Sequence, residues 1–455
     1  MDKKALIEQL IRDAHEKAGF TGTWLYAENG EILSEGAVGW SDPCDTVPLR
    51  EEFVFDLASV TKQFTATAVM LLKREGLLDL DDEITKFFPA IPYKGVTVRH
   101  LLTHTGGLPD YMEWVEETAK AEKTIPGNDI IVRFLSECQK DPDFAPGEKW
   151  EYSNTGYCLL AEIVEKVSGV KFEEFLKKNI FDPAGMTVTR VYHRRKDGIE
   201  ADDLAYGMIL EIGSDQYLLP DDSPDGDYVV PLDGVNGDGL VHSSVLDLYK
   251  WDRALRAEKV LTKEEQQQMY TPAKLNSGEP AGDPEDEDGS AYGFGWFVDD
   301  DPERGRIVCH SGGWPGYNTF FERFVDADRV LIFLSCREAL DEKANISFFN
   351  GLRAVLRDKE PEPVQTIEEL AIPDPDRSGW EALTGKYDYV YEDFCINEIC
   401  QRDGYLFAEI TYREKEHELK LYPMKDNSFG VKIFSSNITF GEEGLTLWGK
   451  TGKKL

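Results

Sequence analysis

The sequence predicts an α/β fold of the α+β type, in which an antiparallel sheet is flanked by helices and a small all-β unit follows. Three observations predict this arrangement. Strand-like runs occur near both ends of residues 1–357, at 22–40 and 306–336, and the segment between them is mostly helical in pattern. The composition then changes abruptly after residue 357. Strands at both ends with helices between them favour one antiparallel sheet with a mostly helical insertion.

The chain begins with a predicted helix and hairpin. In residues 1–19, apolar side chains recur at helical spacing with charges between them, as in a packed surface helix. Residues 22–40 hold two strand-like runs around Asn29-Gly30, which is a strong hairpin signal. Neither a signal peptide nor an apolar run of about 18 residues is present, so we expect a cytoplasmic protein without a membrane span.

Helices dominate the middle of the chain. A long helix is predicted from about Ser59 to Gly76, and others at 128–139, 156–168, 171–180, 243–257 and, after the strands of 306–336, at 341–357. Two acidic stretches are predicted to be loops, at 211–239, which has no basic residue, and at 279–288.

A domain boundary is expected after residue 357. Residues 358–379 carry four prolines among acidic side chains, which is typical of an exposed linker. Residues 380–455 alternate apolar and polar side chains and contain an Asp403-Gly404 turn, which predicts a small β domain. The predicted division is therefore 1–357, 358–379 and 380–455. A chain of 455 residues is long enough for two hydrophobic cores.

Charge and cysteine usage exclude several classes of partner. The chain has 86 acidic and 50 basic residues, a net charge of −36, so nucleic acids and anionic membranes are not expected to bind. Its seven cysteines are dispersed without a C-x-x-C pair, which indicates reduced thiols and no metal site. The sequence also lacks a P-loop and a dinucleotide fingerprint, so no cofactor is expected.

The first candidate site is Ser59-Val60-Thr61-Lys62, at the start of the predicted long helix. Residues i and i+3 share a helix face, so the Lys62 nitrogen can lie beside the Ser59 oxygen. A serine hydroxyl is a weak nucleophile until a base takes its proton, and a lysine can be that base. Alone the motif is weak, because Ser168 and Lys171 repeat the spacing and a helix cap is the simpler explanation of Ser59.

The second candidate is Tyr152-Ser153-Asn154, which follows a Pro-Gly turn and precedes an apolar helix. A tyrosine can relay a proton, and an asparagine amide can hold a substrate amide. Taken alone, a core aromatic and a helix cap explain the pair better.

The third candidate is His310-Ser311-Gly312-Gly313, at the end of a strand-like run. Glycines at a strand edge allow a ligand to approach the backbone closely and leave an N–H free to donate. A simple turn is the alternative.

Together the three segments resemble the serine β-lactamase and penicillin-binding-protein superfamily, whose motifs occur in this order. The version here is closest in type to class C β-lactamases and the related D,D-peptidases, esterases and D-aminopeptidases, in which the second motif is Y-x-N. Accompanying phrases agree, including LLTHTGGLPD at 101–110, FAPGEKWEYSNTGY at 144–157 and HSGGWPGY at 310–317. The resemblance spans roughly residues 20–357 and implies a β-lactamase/transpeptidase-like fold. The C-terminal unit is similar to small lipocalin-like β-barrels appended to many members.

The resemblance also implies roles for single residues. Ser59 is expected to attack a carbonyl and become acylated, while Lys62 and Tyr152 share the proton transfers. Asn154, with His310, Ser311 and Gly312, is expected to bind the substrate. The backbone N–H groups of Ser59 and Gly313 are expected to form the oxyanion hole.

One departure from the family limits the substrate. His310 stands where β-lactamases carry a lysine, and a histidine is mostly neutral at pH 7, so weak β-lactam turnover is expected. The predicted function is hydrolysis of a small molecule or short peptide: a D-amino-acid-containing peptide or amide first, then a small ester, then a β-lactam. The alternatives are a penicillin-binding protein and a non-catalytic scaffold that keeps the fold.

Two further signals were weighed. His100 and His104 lie four residues apart, which on a helix can bind a metal, but no other ligand cluster joins them and no metal is expected.

The acidic stretch 211–239 could line the mouth of the site and favour cationic substrates. A solvated loop is the preferred interpretation of that stretch.

Overall fold

The structure is a computed structural model that describes residues 1–138, 140–212, 216–223, 226–283, 290–412 and 415–455. Among these residues, no helix combines the length and the apolar character that crossing a membrane requires. The predicted loop 279–288 falls partly outside the described residues, which end at 283 and resume at 290.

Strands near both ends of the larger unit form one sheet, as the sequence predicted. Its seven strands are antiparallel and run in the order β2-β1-β12-β11-β10-β9-β8. The strands of the chain are β1 Gly22–Glu28, β2 Glu31–Val38, β3 Phe55–Asp56, β4 Arg190–Val191, β5 Ile209–Leu210, β6 Tyr217–Leu218, β7 Val241–Ser243, β8 Ala291–Tyr292, β9 Phe297–Asp301, β10 Gly305–Trp314, β11 Tyr317–Phe324, β12 Arg329–Ser335, β13 Gly385–Tyr391, β14 Phe394–Arg402, β15 Tyr405–Tyr412, β16 Lys415–Pro423, β17 Phe429–Gly430, β18 Thr439–Gly441, β19 Gly444–Leu447 and β20 Lys450–Gly452.

The register of β10 exposes part of one edge. This strand pairs with β11 from Ile307 to Trp314, and Gly312 faces Thr319, but its pairing with β9 ends at Cys309. Among the described residues, His310 to Trp314 therefore belong to a strand edge that β9 leaves uncovered.

Helices cover the sheet and form the insertion between its strands. The α-helices are α1 Lys3–Ala18, α2 Lys62–Arg74, α3 Ile84–Phe87, α4 Val98–Leu102, α5 Met112–Glu122, α6 Asp129–Glu137, α7 Asn154–Ser168, α8 Phe172–Leu176, α9 Asp182–Ala184, α10 Arg194–Asp197, α11 Val229–Leu232, α12 Val245–Arg256, α13 Lys263–Met269, α14 Glu342–Leu356 and α15 Ile367–Leu370. Each helix predicted from periodicity is found within a few residues of its expected bounds. The apolar faces of α1 and α14 pack together on one side of the sheet.

The C-terminal unit has its own core and consists of antiparallel strands. The described residues form a five-stranded sheet, β13 to β17, and a three-stranded sheet, β18 to β20. Single bridges, Phe429 to Ile438 and Tyr387 to Lys454, join the two sheets. The predicted β-lactamase-like fold with a C-terminal β domain is confirmed, although this domain has two bridged sheets in place of one continuous barrel.

Two predicted surface segments are more ordered than expected. In 358–379, Val364 is fully buried against the larger unit and the Ile367 amide donates to the Asp341 carboxylate at 2.9 Å. Prolines and acids set the composition of this linker, but its few apolar residues still find a core. The described part of the acidic stretch 211–239 contains β6, a 3₁₀ turn at Pro220–Asp222 and α11.

Candidate active site

The backbone before Ser59 turns sharply. Strand β3 ends at Asp56, and Ala58 has φ of 47°, a left-handed conformation that is rare for a residue with a side chain. The buried Asp56 carboxylate accepts a hydrogen bond from the Ala58 amide at 2.8 Å and so supports this turn. A 3₁₀ helix, Ala58–Thr61, and then α2 follow. Ser59 therefore lies in the first turn of a helical segment, where backbone N–H groups favour negative charge.

Lys62 connects the first two candidate segments. Its side chain is fully buried, and Nζ lies 3.0 Å from Ser59 Oγ, 2.8 Å from Asn154 Oδ1 and 2.9 Å from the Asp238 carbonyl oxygen. The prediction that the spacing brings Ser59 and Lys62 together agrees with this geometry. Ser153, and not Asn154, caps α7, because the Ser153 hydroxyl accepts from the Gly156 amide. The Asn154 amide nitrogen can therefore donate to a substrate.

These three contacts define what Lys62 can do. A protonated lysine has three N–H donors and no acceptor, so the three oxygens match the ammonium form. In the neutral form, two N–H groups still reach Asn154 and the Asp238 carbonyl, and the lone pair faces Ser59. The arrangement thus aims the one free position of the amine at the hydroxyl that must lose a proton.

Tyr152 lies on the other side of Lys62. The Lys62 nitrogen is 4.8 Å from the centre of the Tyr152 ring, and the Tyr152 hydroxyl is buried without a hydrogen-bond partner among the described residues. A buried hydroxyl without a partner costs about 1–3 kcal/mol, which makes it a ready partner for a bound ligand. The predicted role of Tyr152 in proton transfer remains a prediction.

His104 supports the Tyr152 segment. Its ring lies against Tyr152, with centroids 4.4 Å apart, and Nδ1 accepts from the Ser153 amide at 3.0 Å. Burial lowers the pKa of His104 well below its usual value, and the charge of Lys62 adds to this effect, so the ring is neutral. His100 has a separate partner, because its Nδ1 accepts from the Thr97 amide in a capping box. The two histidines thus have local structural contacts.

The third segment places the His310 side chain in the protein interior. The His310 side chain is 1% exposed, its Nδ1 lies 2.6 Å from the Ser311 carbonyl oxygen, and its Nε2 lies 3.0 Å from the Tyr292 hydroxyl. Because a carbonyl only accepts, Nδ1 carries the proton and Tyr292 donates to Nε2. Both nitrogens are occupied by groups of the protein, and the expected role of His310 in substrate binding remains a prediction. Alternation along β10 turns it into the core.

His310 is also neutral. Burial lowers the pKa of His310 to about 3, with the charge of Lys62 as the second cause. This side chain therefore supplies no positive charge to the strand edge at neutral pH.

The glycines beside His310 bring the strand edge against Ser59. A Cβ at position 312 would lie 2.2 Å from the Leu57 carbonyl oxygen and 3.1 Å from the Ser59 nitrogen, whereas one at Gly313 would meet nothing within 4 Å. Gly312 is therefore needed for close approach, and Gly313 lies on the open side. Ser59, Asn154 and Gly313 line the same small recess. The oxyanion hole expected from the N–H groups of Ser59 and Gly313 remains a prediction.

Asp238 is a residue that the sequence analysis did not identify. It lines the recess with Ser59, and its carboxylate accepts from the Tyr111 hydroxyl at 3.0 Å. Its loop is held firmly, because Asn128 forms hydrogen bonds with both the amide and the carbonyl of Asn236. The preference for a solvated loop over 211–239 is therefore wrong for its end. A lone acid between glycines, in Gly237-Asp238-Gly239, was the available signal.

Other carboxylates make the recess more negative. Asp56 also lines it, and burial raises the pKa of Asp56 to about 6. Asp110 is close enough to Asp238 that this second carboxylate, after burial, raises the pKa of Asp110. The recess therefore combines the carboxylates of Asp56 and Asp238 with the Lys62 nitrogen, which lies 2.9 Å from the Asp238 carbonyl oxygen.

Known proteins are similar to this chain in sequence and in fold. Residues 7–351 match the beta-lactamase family model. The chain is 36% identical over 442 residues to penicillin-binding protein 4* of Bacillus subtilis (strain 168), which covers 96% of this chain and 94% of the relative. The crystal structure of D-amino acid amidase from Ochrobactrum anthropi is similar over 74% of this chain and 91% of its own, with 26% identity and a TM-score of 0.60.

Another solved structure has a similar fold along the whole length of this chain. The octameric penicillin-binding protein homologue from Pyrococcus abyssi covers 100% of this chain and 99% of its own, with a TM-score of 0.67. At 24% identity this likeness concerns the fold alone. The chain belongs to the beta-lactamase family of serine hydrolases.

Proposed function

We propose that the protein hydrolyses small amides or short peptides through an acyl-enzyme on Ser59, and that the acyl part of the substrate carries a free ammonium group. One observation carries the hydrolase assignment. A fully buried lysine nitrogen lies 3.0 Å from the Ser59 hydroxyl and is fixed by Asn154 and the Asp238 carbonyl. A serine beside a fixed base is the arrangement that nucleophilic catalysis requires.

The proposed reaction has two steps. Lys62 takes the Ser59 proton while Oγ bonds to the substrate carbonyl carbon, and the N–H groups of Ser59 and Gly313 stabilise the oxyanion. The C–N bond then breaks, and Tyr152 passes a proton to the leaving amine. A water molecule then gives a proton to the Tyr152 oxygen while its own oxygen bonds to the ester carbonyl carbon. The bond to Ser59 Oγ breaks, Lys62 returns its proton to Oγ, and the acid is released. The buried Tyr152 hydroxyl, which has no protein partner among the described residues, supports its part in this transfer.

The Asp238 carboxylate supports the ammonium preference. A substrate amine bound in the recess would meet Asp238, whose carboxylate Tyr111 holds in place. A charge-assisted hydrogen bond contributes about 1.5–3 kcal/mol, or about 10- to 150-fold in binding. The similarity to a D-amino acid amidase makes a D-aminoacyl amide the first substrate to test.

A substrate panel tests the proposal. We expect wild-type protein to release ammonia from D-phenylalanine amide faster than from L-phenylalanine amide or N-acetyl-D-phenylalanine amide. Asp238→Asn should lower kcat/KM for the free amine about 10- to 100-fold and leave the slow N-acetyl substrate unchanged. Ser59→Ala should abolish turnover of all three, and Ser168→Ala, the matched variant outside the site, should change nothing. Equal turnover by Ser59→Ala would contradict the hydrolase assignment.

A second candidate function is covalent penicillin binding without turnover. The similarity to penicillin-binding protein 4* favours it, and the neutral His310 leaves the strand edge without the cation that β-lactamases carry there. A fluorescent penicillin that labels wild type stably and spares Ser59→Ala would support this candidate.

A further inference from the structure

Five aromatic residues line a large cleft in the C-terminal β domain. The aromatic cleft, as we call it, is formed by Tyr391, Phe394, Tyr412, Phe434 and Trp448 and has a volume of about 800 Å³. Its rings are close, since the Trp448 centroid lies 4.9 Å from Phe434, 5.1 Å from Phe394 and 5.4 Å from Tyr391. Faces of this kind bind apolar or aromatic groups.

The backbone at Trp448 supports a binding role. Trp448 and Gly449 form the turn between β19 and β20, with φ of 49° and 71°. Asparagine and glycine adopt the left-handed region readily, whereas a bulky side chain there is an outlier. Strain of this type concentrates at functional sites. The indole is therefore held at a turn that would be less strained without it.

A groove joins the aromatic cleft to the candidate active site. It has a volume of about 810 Å³, begins at Asn154 and Gly313, and ends at Tyr412 and Phe434 of the C-terminal domain. The groove and the cleft share Tyr412, Phe434 and Ile212, so they lie next to each other. A chain that leaves the Ser59 recess along the free edge of β10 therefore runs toward the aromatic cleft.

The wall of this groove is fixed to the larger domain. The Glu342 amide, at the start of α14, donates to the Lys432 carbonyl at 2.7 Å, next to Ile433 and Phe434. On the opposite side, His417 Nδ1 lies 3.1 Å from the Ile212 carbonyl oxygen. These contacts hold the aromatic residues in register with the active site.

Charge restricts the ligand. Among the described residues that line the aromatic cleft, the two charged side chains are Glu392 and Asp393. A carboxylate amphiphile such as a fatty acid would meet like charges there. A neutral apolar or aromatic group can pack on the ring faces without this repulsion.

We propose that the aromatic cleft binds a bulky apolar side chain on the leaving-group side of an extended peptide substrate. The inference rests on the proposed function, because an amine held at Asp238 places the acyl residue in the recess and directs the rest of the peptide along the groove. The C-terminal domain thereby acts as a specificity subsite for the site at Ser59.

The test uses peptides of graded length. D-Phe-(Gly)n-Phe-amide and D-Phe-(Gly)n-Ser-amide, with n from 0 to 3, are compared by isothermal titration to Ser59→Ala protein and by kcat/KM with wild type. At one or more lengths, the Phe series should bind at least 10-fold more tightly than the Ser series. Trp448→Asn should remove this difference, because asparagine keeps the turn and deletes the indole. Trp40→Ala, at an exposed tryptophan elsewhere, should preserve it.

Several outcomes separate the two proposals. Turnover of D-phenylalanine amide should be the same in wild type and Trp448→Asn. If the Phe and Ser series bind equally at every length, the inference is overturned. Turnover of the amide by the same preparation then shows that the proposed function still holds. If wild-type protein does not hydrolyse the amide but Ser59→Ala protein still binds the Phe series more tightly than the Ser series, the proposed function is contradicted and the inference is not. Binding of lauric acid in place of the Phe peptides also overturns the inference.

Discussion

Replacing Gly312 with alanine tests the contact between the strand edge and the nucleophile. The added Cβ would lie 2.2 Å from the Leu57 carbonyl oxygen, 2.3 Å from Thr319 Oγ1 and 3.1 Å from the Ser59 nitrogen. The first two groups cannot move away freely, because Thr319 Oγ1 donates to the Leu57 carbonyl at 2.7 Å and is itself buried. The strand must therefore move.

The size of this movement sets the expected loss. An ordinary carbon–oxygen contact is about 3.3 Å or more, so β10 must retreat from the helix start by roughly 1 Å. The Gly313 amide moves with it and leaves its place beside Ser59. Loss of one oxyanion donor lowers kcat about 10²- to 10³-fold, and a 1 Å misplacement alone has effects near 10². We expect Gly312→Ala to lower turnover and the rate of Ser59 acylation by about 10²-fold or more.

Gly313→Ala is the matched control. Its Cβ meets nothing within 4 Å, so this variant should have the same melting temperature as wild type. Any effect of the variant on turnover should depend on the size of the substrate. The assay is the second-order rate of fluorophosphonate labelling, with thermal melting in parallel. If Gly312→Ala is labelled at the wild-type rate and has the wild-type melting temperature, the reasoning is refuted.

Three further predictions concern the buried lysine and histidines. Lys62→Met should lower turnover of any substrate by about 10²- to 10⁴-fold in steady-state assays, since it removes the only base that contacts Ser59 among the described residues. Burial lowers the pKa of His242 to about 3, so as the pH falls below about 6.5 the unfolded chain binds a proton at this residue before the folded protein does, and the free energy of unfolding falls. Glutamine does not titrate. Chemical denaturation should therefore show that His242→Gln lowers the free energy of unfolding by about 2 kcal/mol less at pH 5 than at pH 7. Because the pKa of His310 is also about 3, nitrocefin hydrolysis should be slow at both pH 7 and pH 5, and rapid hydrolysis at either pH would contradict the role given to this neutral ring.

Periodicity predicted the elements and the first motif well. Helices such as α2 and α7 are long and strongly patterned, and Ser59 and Lys62 meet because i and i+3 share one helix face. The antiparallel sheet could be predicted because its strands lie near both ends of one unit. These features depend on local spacing, which the sequence contains directly.

Features that depend on long-range packing could not be predicted in the same way. The direction of the His310 side chain depends on the phase of β10 relative to the core, which a glycine-rich strand does not reveal. Asp238 reaches the recess through a loop that Asn128 anchors from 108 residues away. Val364 is buried because the linker packs against the first domain, a contact that a composition rich in proline and acids conceals.

The identity of the nucleophile is tested most directly by intact-protein mass spectrometry after reaction with a fluorophosphonate. The account predicts a single adduct on wild-type protein, mapped to Ser59 by peptide sequencing. It predicts the same adduct on Ser168→Ala and none on Ser59→Ala. An adduct on another residue, or equal modification of Ser59→Ala, would contradict the central claim that Ser59 is acylated.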